Sequence, residues 1–293
     1  MSSHRTTARV VLPLLALWAL AATAQAHSGP HKIFFPVVGE VSYYDDFGEP
    51  RGQGPHEGND IVAERRAPVV AVEAGKIEFW TTSARAGCML YLYGRSGATY
   101  VYVHLNNDLT NGNDNGGGCV PGVAYAPGLR NSQKVRAGEL IAFVGNSGDA
   151  DGAHAHLHFE LHPGGGAAVS PFSWLRAANR LLFASPAPSE GPAPTLALYG
   201  TVLASGQGTL TLRVAKVRMS NGWRFQVRQD VTLAVPEGAV VERAADGKRL
   251  PASAGAAGEP VVVWTAPVAA TLDEQLGKPG ALTAAQILFR GES

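Results

Sequence analysis

The stretch GAHAHLHFELH, residues 152–162, carries four histidines in eleven positions and is the part of the chain that says most about its fold. In a β-strand, alternate side chains point to opposite faces. His154, His156, His158 and Glu160 would therefore share one face, and the intervening Ala, Leu and Phe side chains the other. The pattern predicts a half-buried strand whose open side carries imidazoles.

The composition predicts a folded, β-rich protein. The chain has 293 residues, of which 45% are hydrophobic and 16% charged, so it has room for one large or two ordinary domains. Its 35 glycines and 19 prolines indicate many turns, which favours strands over helix bundles. The formal net charge is zero, which argues against nucleic acid as a partner.

The N-terminus has the pattern of a secretory signal peptide. Arg5 and Arg9 precede the apolar run 10–22, and an Ala-Gln-Ala cleavage signal ends at Ala26. We expect residues 1–26 to be removed, leaving an exported bacterial protein, periplasmic or secreted. The apolar run is short for a membrane span and no later run reaches about 18 residues, so we expect no transmembrane segment in the mature chain.

Strand and linker patterns divide the rest of the chain. We predict a mainly β, antiparallel, sandwich-like domain over residues 27–183, with one helix at 171–183. A linker rich in Pro, Ala and Ser follows at 184–197. Residues 198–293 alternate apolar and polar positions and predict a small antiparallel β-barrel or sandwich.

The two cysteines, Cys88 and Cys119, predict one disulfide, since the compartment is oxidising and zinc-binding cysteines usually come as CxxC pairs. Cys119 lies in a polar, Gly-rich insertion at residues 106–131, which would form a wall or lid of the site.

Two further segments carry polar side chains suited to bind a metal ion together with the histidine strand. In PHEGNDIV, residues 55–62, His56 and Asp60 are four apart and would share a face of a strand. In YVYVHL, residues 100–105, His104 would share a face with Tyr100 and Tyr102. A His and an Asp from one segment and a His from another are a suitable ligand set for zinc, with the fourth position left to water.

Taken in order, four motifs resemble those of the lysostaphin/LytM-type zinc metallopeptidases. They are HxGxD at His56–Asp60, YxHL at Tyr102–Leu105, GNSG at Gly145–Gly148 and HLHFE at His156–Glu160. The resemblance runs from about residue 35 to 176, roughly half of the chain. It implies that His56, Asp60 and His158 bind one Zn²⁺ per chain, and that His104 and His156 act on water and the transition state. The sequence does not say which of these two histidines does which.

The neighbouring polar residues have weaker assignments. We place His154 at the rim of the site and His162 on the exposed end of the strand, where the strand breaks before Pro163. Glu160 is expected to orient a ligand imidazole. For Arg51, substrate contact and ordinary surface charge are equally supported.

The resemblance implies an exported zinc endopeptidase that cuts peptide cross-links or stem peptides of peptidoglycan. Two alternatives stay open: a secreted protease acting on Gly-rich proteins, and a non-catalytic activator of other cell-wall hydrolases. We expect residues 198–293 to bind the cell wall or a protein partner and so to affect location rather than chemistry.

Overall fold

The computed structural model of the chain describes residues 32–52, 54–81, 83–184, 193–206, 208–220, 222–268 and 282–291. The predicted signal peptide, residues 1–26, lies outside the described residues, as do residues 185–192 of the predicted linker. Contacts group Lys32–Ser293 into one compact unit. Within the described part, no helix combines the length and apolar character that crossing a membrane requires.

A seven-stranded antiparallel sheet forms the framework of the first half, in the order β1-β4-β11-β8-β7-β6-β9. Its strands are β1 (Val41–Ser42), β4 (Asn59–Ala63), β6 (Gly75–Trp80), β7 (Cys88–Gly94), β8 (Thr99–Leu105), β9 (Lys134–Val135) and β11 (His156–His162). Two short ladders flank it: β2 (Pro50–Arg51) with β3 (Gly54–Pro55), and β5 (Pro68–Val70) with β10 (Leu140–Phe143).

One face of this sheet is buried and the other is open. Leu157, Phe159 and Leu161 of β11 are almost fully buried, together with Tyr100 and Tyr102 of β8. The alternate residues of β11 are only partly buried. The alternation predicted for the histidine strand is confirmed, and it places the core behind the sheet and the polar residues in front of it.

The predicted helix is shorter than expected. The pattern predicted a helix over 171–183, but α1 covers only Phe172–Ala177. Ala178 is extended, and Asn179 pairs with the chain near the start of the described residues: its N–H donates to Ile33, and its carbonyl accepts from Phe35. The pairing of Asn179 with a segment remote in sequence therefore overrides the local helical pattern.

The second half forms a six-stranded sheet in the order β14-β13-β12-β16-β17-β15. Its strands are β12 (Leu196–Gly206), β13 (Thr209–Met219), β14 (Arg224–Ala234), β15 (Val240–Arg243), β16 (Pro260–Thr265) and β17 (Leu282–Phe289). A further pairing of β14 with β17 closes five of these strands into a ring. The mainly β fold class is confirmed, although β17 pairs in parallel with both β14 and β15, which the prediction of an antiparallel barrel did not include.

The predicted disulfide is present and joins β7 to the insertion. Cys88 and Cys119 are bonded across 31 residues of sequence. Cys88 is buried in the core behind the sheet, and Cys119 packs against that core. The bond therefore anchors the middle of the insertion at residues 106–131.

Replacing both Cys88 and Cys119 with Ala should lower the free energy of unfolding by about 3 kcal/mol, because the open chain regains loop entropy when it unfolds. Urea denaturation of the variant and of the wild type would measure the difference. The wild type under reducing conditions is the control and should match the variant. Equal denaturation midpoints for oxidised wild type and variant would contradict the prediction.

Candidate metal centre

The pairing of β11 with its two neighbours brings distant residues together on the open face. In the ladder, His158 lies opposite Asp60 of β4 on one side and Val103 of β8 on the other. Paired residues of neighbouring strands point to the same face. Segments almost a hundred residues apart in sequence therefore meet at one place.

Three predicted ligands converge there. His56 Nε2 and His158 Nδ1 lie 2.8 Å apart, and each lies 3.1 Å from Asp60 Oδ1. Within the part of the chain that the structure describes, no other three His, Cys, Asp or Glu residues have donor atoms close enough together to hold a metal ion. Tetrahedral zinc with ligand bonds of about 2.0–2.1 Å would hold its donors roughly 3.3 Å apart, so small shifts would adapt this set to the ion.

Hydrogen bonds at the far side of each imidazole show that the donor set fits a cation. His56 Nδ1 lies 3.0 Å from the carbonyl oxygen of Asp46 and so donates to it. His158 Nε2 donates in the same way to Glu160 Oε1 at 2.9 Å. In the neutral rings, the nitrogens that face one another then both carry lone pairs, and this arrangement requires a proton or a metal ion between them.

Asp46 and Arg51 complete the site. Asp46 was not predicted from the sequence. The carboxylate of Asp46 is buried and accepts from Asn59 Nδ2 and from the backbone N–H of Asp60. Arg51 donates to Asp46 Oδ2 at 3.2 Å and to Asp60 Oδ2 at 3.1 Å. Arg51 thus holds the Asp60 oxygen that faces away from the histidines, a contact that was not considered for it from the sequence.

The charges of the site are strongly coupled. Burial would raise the pKa of Asp60, but hydrogen bonds from His158 and His56 hold it well below its usual value. Burial would lower the pKa of His56, but hydrogen bonds with Asp46 and Asp60 raise it to about 10. The carboxylates around the ligands thus stabilise positive charge at this place, whether it is carried by protons or by a metal ion.

The glycine of the HxGxD motif has a steric role. A Cβ atom added at Gly58 would lie 2.5 Å from the carbonyl oxygen of Phe159 and 2.9 Å from His158 Nε2. Only glycine lets the His56 segment approach the histidine strand so closely.

His104 lies on the open face because its backbone conformation is irregular, which the alternation did not predict. Regular alternation would put it on the core face with Tyr100 and Tyr102, and this expectation is wrong. His104 has a φ of 58°, which is rare outside glycine, and this left-handed turn directs its ring to the open face. Its ring centroid lies 5.1 Å from that of His156 and 6.1 Å from that of His158.

The GNSG segment fixes the orientation of His104. Its Nδ1 donates to the carbonyl oxygen of Ser147 at 2.9 Å, while the Ser147 hydroxyl donates to the carbonyl of Leu105. Burial, with a contribution from His156, lowers the pKa of His104 to about 4. The imidazole is therefore neutral near pH 7, with the Nε2 lone pair free.

The remaining histidines separate into distinct roles. His156 Nδ1 donates to the carbonyl oxygen of His154 at 2.9 Å, which leaves its Nε2 3.8 Å from Asp60 Oδ1. The side chain of His154 is exposed, in keeping with a place at the rim. The strand ends at His162, before Pro163, as expected, but the expected exposure of His162 is wrong: its side chain is partly buried, and its Nε2 donates to Glu160 Oε2 at 2.8 Å. Glu160 therefore bridges His158 and His162, and its predicted contact with a ligand imidazole is present.

Comparison with known proteins agrees with the motifs. No protein-family model matches the chain. It is 26% identical over 163 residues to an L-Ala–D-Glu endopeptidase of Bacillus subtilis, covering 52% of this chain and 45% of that protein. It is 31% identical over 121 residues to an uncharacterised metalloprotease of Haemophilus influenzae, covering 41% of this chain and 21% of that protein. The chain thus spans less than half the length of either relative.

Among solved structures, the catalytic domain of lysostaphin from Staphylococcus simulans aligns with a TM-score of 0.35 at 22% identity. The alignment covers 47% of this chain and 92% of that domain. By the motifs and the two curated relatives, the chain resembles metallopeptidases. Within that class it resembles the LytM-type peptidases, as the sequence predicted.

Replacing Glu160 with Gln should weaken metal affinity by about 10- to 100-fold, because the carboxylate that fixes the ring of His158 becomes a neutral amide. Competition with a metal chelator would measure the affinity of the purified protein. Glu57, which is exposed and next to His56, is the matched control, and Glu57→Gln should bind metal as the wild type does. Equal affinities for Glu160→Gln and Glu57→Gln would show that the contact does not support the metal centre.

Proposed function

We propose that the chain is an exported zinc endopeptidase that hydrolyses peptide cross-links or stem peptides of peptidoglycan. The observation that carries this proposal is the convergence of His56, Asp60 and His158 beside two further imidazoles on the open face of the sheet. The similarity to an L-Ala–D-Glu endopeptidase supports the substrate class. Zinc is supported by the donor set of two imidazoles and one carboxylate.

The proposed catalytic roles of His104 and His156 follow from their hydrogen bonds. A bound zinc ion supplies Lewis acidity toward water and the peptide carbonyl. His104 is neutral, and its Nδ1–H is committed to Ser147, so its Nε2 is the acceptor for the proton of the attacking water. His156 also turns its Nε2 toward the ligands, and when this atom carries a proton it can donate to the developing oxyanion.

Digestion of purified peptidoglycan by the wild-type protein should release soluble fragments cut at peptide bonds, identified by mass spectrometry. Chelation of the metal should abolish release, and added zinc should restore it, since the ion supplies the Lewis acid. His158→Ala should lose both the metal and the activity. Release that persists without metal would refute the zinc mechanism.

The same assay separates the two alternative functions. Binding to peptidoglycan without release would favour a non-catalytic activator, which should instead increase release by an added wall hydrolase. Cleavage of a Gly-rich protein, with peptidoglycan left intact, would favour the secreted protease.

Replacing His104 with Ala should lower kcat by about 10²- to 10⁴-fold while the bound zinc stays at one ion per chain, because the proton acceptor is lost and the ligands remain. Turnover of a fluorogenic peptide and metal analysis of the same sample would test this. His154→Ala removes a nearby exposed imidazole and should leave kcat unchanged. A similar loss in both variants would contradict the role given to His104.

A further inference from the structure

The hairpin formed by β13 and β14 packs against the first half of the chain. The rings of Trp223 and Phe143 are stacked with centroids 6.0 Å apart. Gln229 Nε2 donates to the carbonyl oxygen of Arg180 at 3.1 Å. A Cβ atom added at Gly39 would lie 3.0 Å from the carbonyl oxygen of Gln226, so the start of β14 also lies beside the segment that leads into β1, an edge strand of the sheet with the metal centre.

A cavity of about 510 Å³ lies at this junction. It is lined by residues 38–42 and 62–68 of the first half and by Arg224, Phe225 and Gln226 of β14. Its wall on one side is therefore supplied by the C-terminal half of the chain. A cavity of this volume accommodates several residues of a peptide.

The cavity adjoins the metal centre along the open face of the sheet. Val62, which lines it, follows the ligand Asp60 by two positions and lies opposite His156 in the ladder. Ser42 lies opposite Val62 on the other side and also lines the cavity. Because residues two apart on a strand share a face and lie about 7 Å apart, the cavity begins roughly two residue lengths of an extended peptide from the ligand Asp60.

The charges at the cavity favour an anionic occupant. Arg224 is exposed and, within the part of the chain that the structure describes, has no carboxylate partner. It lies directly opposite Arg218 of β13, and like charges in that position repel each other. An anion bound in the cavity beside Arg224 would relieve this repulsion.

The other charged groups around the cavity leave this excess of positive charge in place. Arg65 is already paired with the buried carboxylate of Asp108. The guanidinium of Arg66 donates to the backbone carbonyls of Asp108 and Leu109, which are uncharged and leave its positive charge in place. Two acids line the cavity, Glu64 and Glu40, and the latter lies 4.0 Å from Arg228.

We propose that Arg224, with the side-chain amide of Gln226 beside it, binds a carboxylate of the peptide substrate and so selects acidic peptides for the metal centre. This inference rests on the proposed peptidase function and deepens it. Residues 198–293 then supply one wall of the substrate groove, a role that differs from the effect on location expected from the sequence. Arg224 is a residue of substrate specificity and takes no part in the chemical step.

The test uses two synthetic peptides that each contain an L-Ala–D-Glu bond, one with free carboxylates and one with the carboxylates amidated. Arg224→Gln should raise KM for the acidic peptide by about fivefold, the size of a partly exposed ion pair, with kcat unchanged. KM for the amidated peptide should not change. Arg224→Lys should restore most of the affinity, and Lys248→Gln, which removes an exposed charge in the loop after β15, should have no effect.

The outcomes separate this inference from the proposed function. Equal cleavage of both peptides by the wild type, or an equal loss on both in Arg224→Gln, would overturn the inference and leave the peptidase standing. If the wild type cleaves neither peptide, the inference is tested without cleavage. The binding of each peptide to the variant His104→Ala is then measured by calorimetry. Tighter binding of the acidic peptide, lost on adding Arg224→Gln, would support it, and equal binding would overturn it.

Discussion

The site depends on the register of β11 between β4 and β8. Because side chains alternate along a strand, a slip of one residue would turn every histidine into the core and expose Leu157 and Phe159. The ring of Phe159 prevents this, since it packs between those of Tyr100 and Tyr102, with centroids 5.9 and 5.3 Å away. The buried face therefore determines where the donor atoms meet on the open face.

The donor atoms are held in an arrangement that is electrostatically incomplete without a positive charge. Carboxylates lie behind both imidazoles: Asp46 next to His56, and Glu160 next to His158. The backbone carbonyl of Asp46 and the carboxylate of Glu160 fix the tautomers that direct a lone pair inward from each ring, and Asp60 adds a negative oxygen between them. The groups around the candidate ligands therefore orient them and favour a cation at this place.

The sequence predicted the parts of this site that depend on regular strands. The alternation of β11 and the short spacing of His56 and Asp60 are visible because both follow from backbone geometry. Asp46 was missed because it lies ten residues before His56 in a segment without regular structure, where spacing carries no information about direction. The helix after residue 171 was predicted too long because pairing of Asn179 with Ile33 and Phe35 depends on contacts remote in sequence.

The left-handed backbone of His104, which places its ring on the open face, explains why the motifs around it occur together. A left-handed conformation at a residue other than glycine costs of order 1–3 kcal/mol and persists only where its surroundings hold it. Here Ser147 accepts from the His104 ring, and its hydroxyl donates to Leu105 and accepts from the N–H of Cys88. Cys88 is bonded to the insertion at Cys119. The disulfide, the GNSG turn and the strained histidine therefore form one connected support, so the insertion helps to hold His104 beside the candidate metal centre even though it provides none of the candidate ligands.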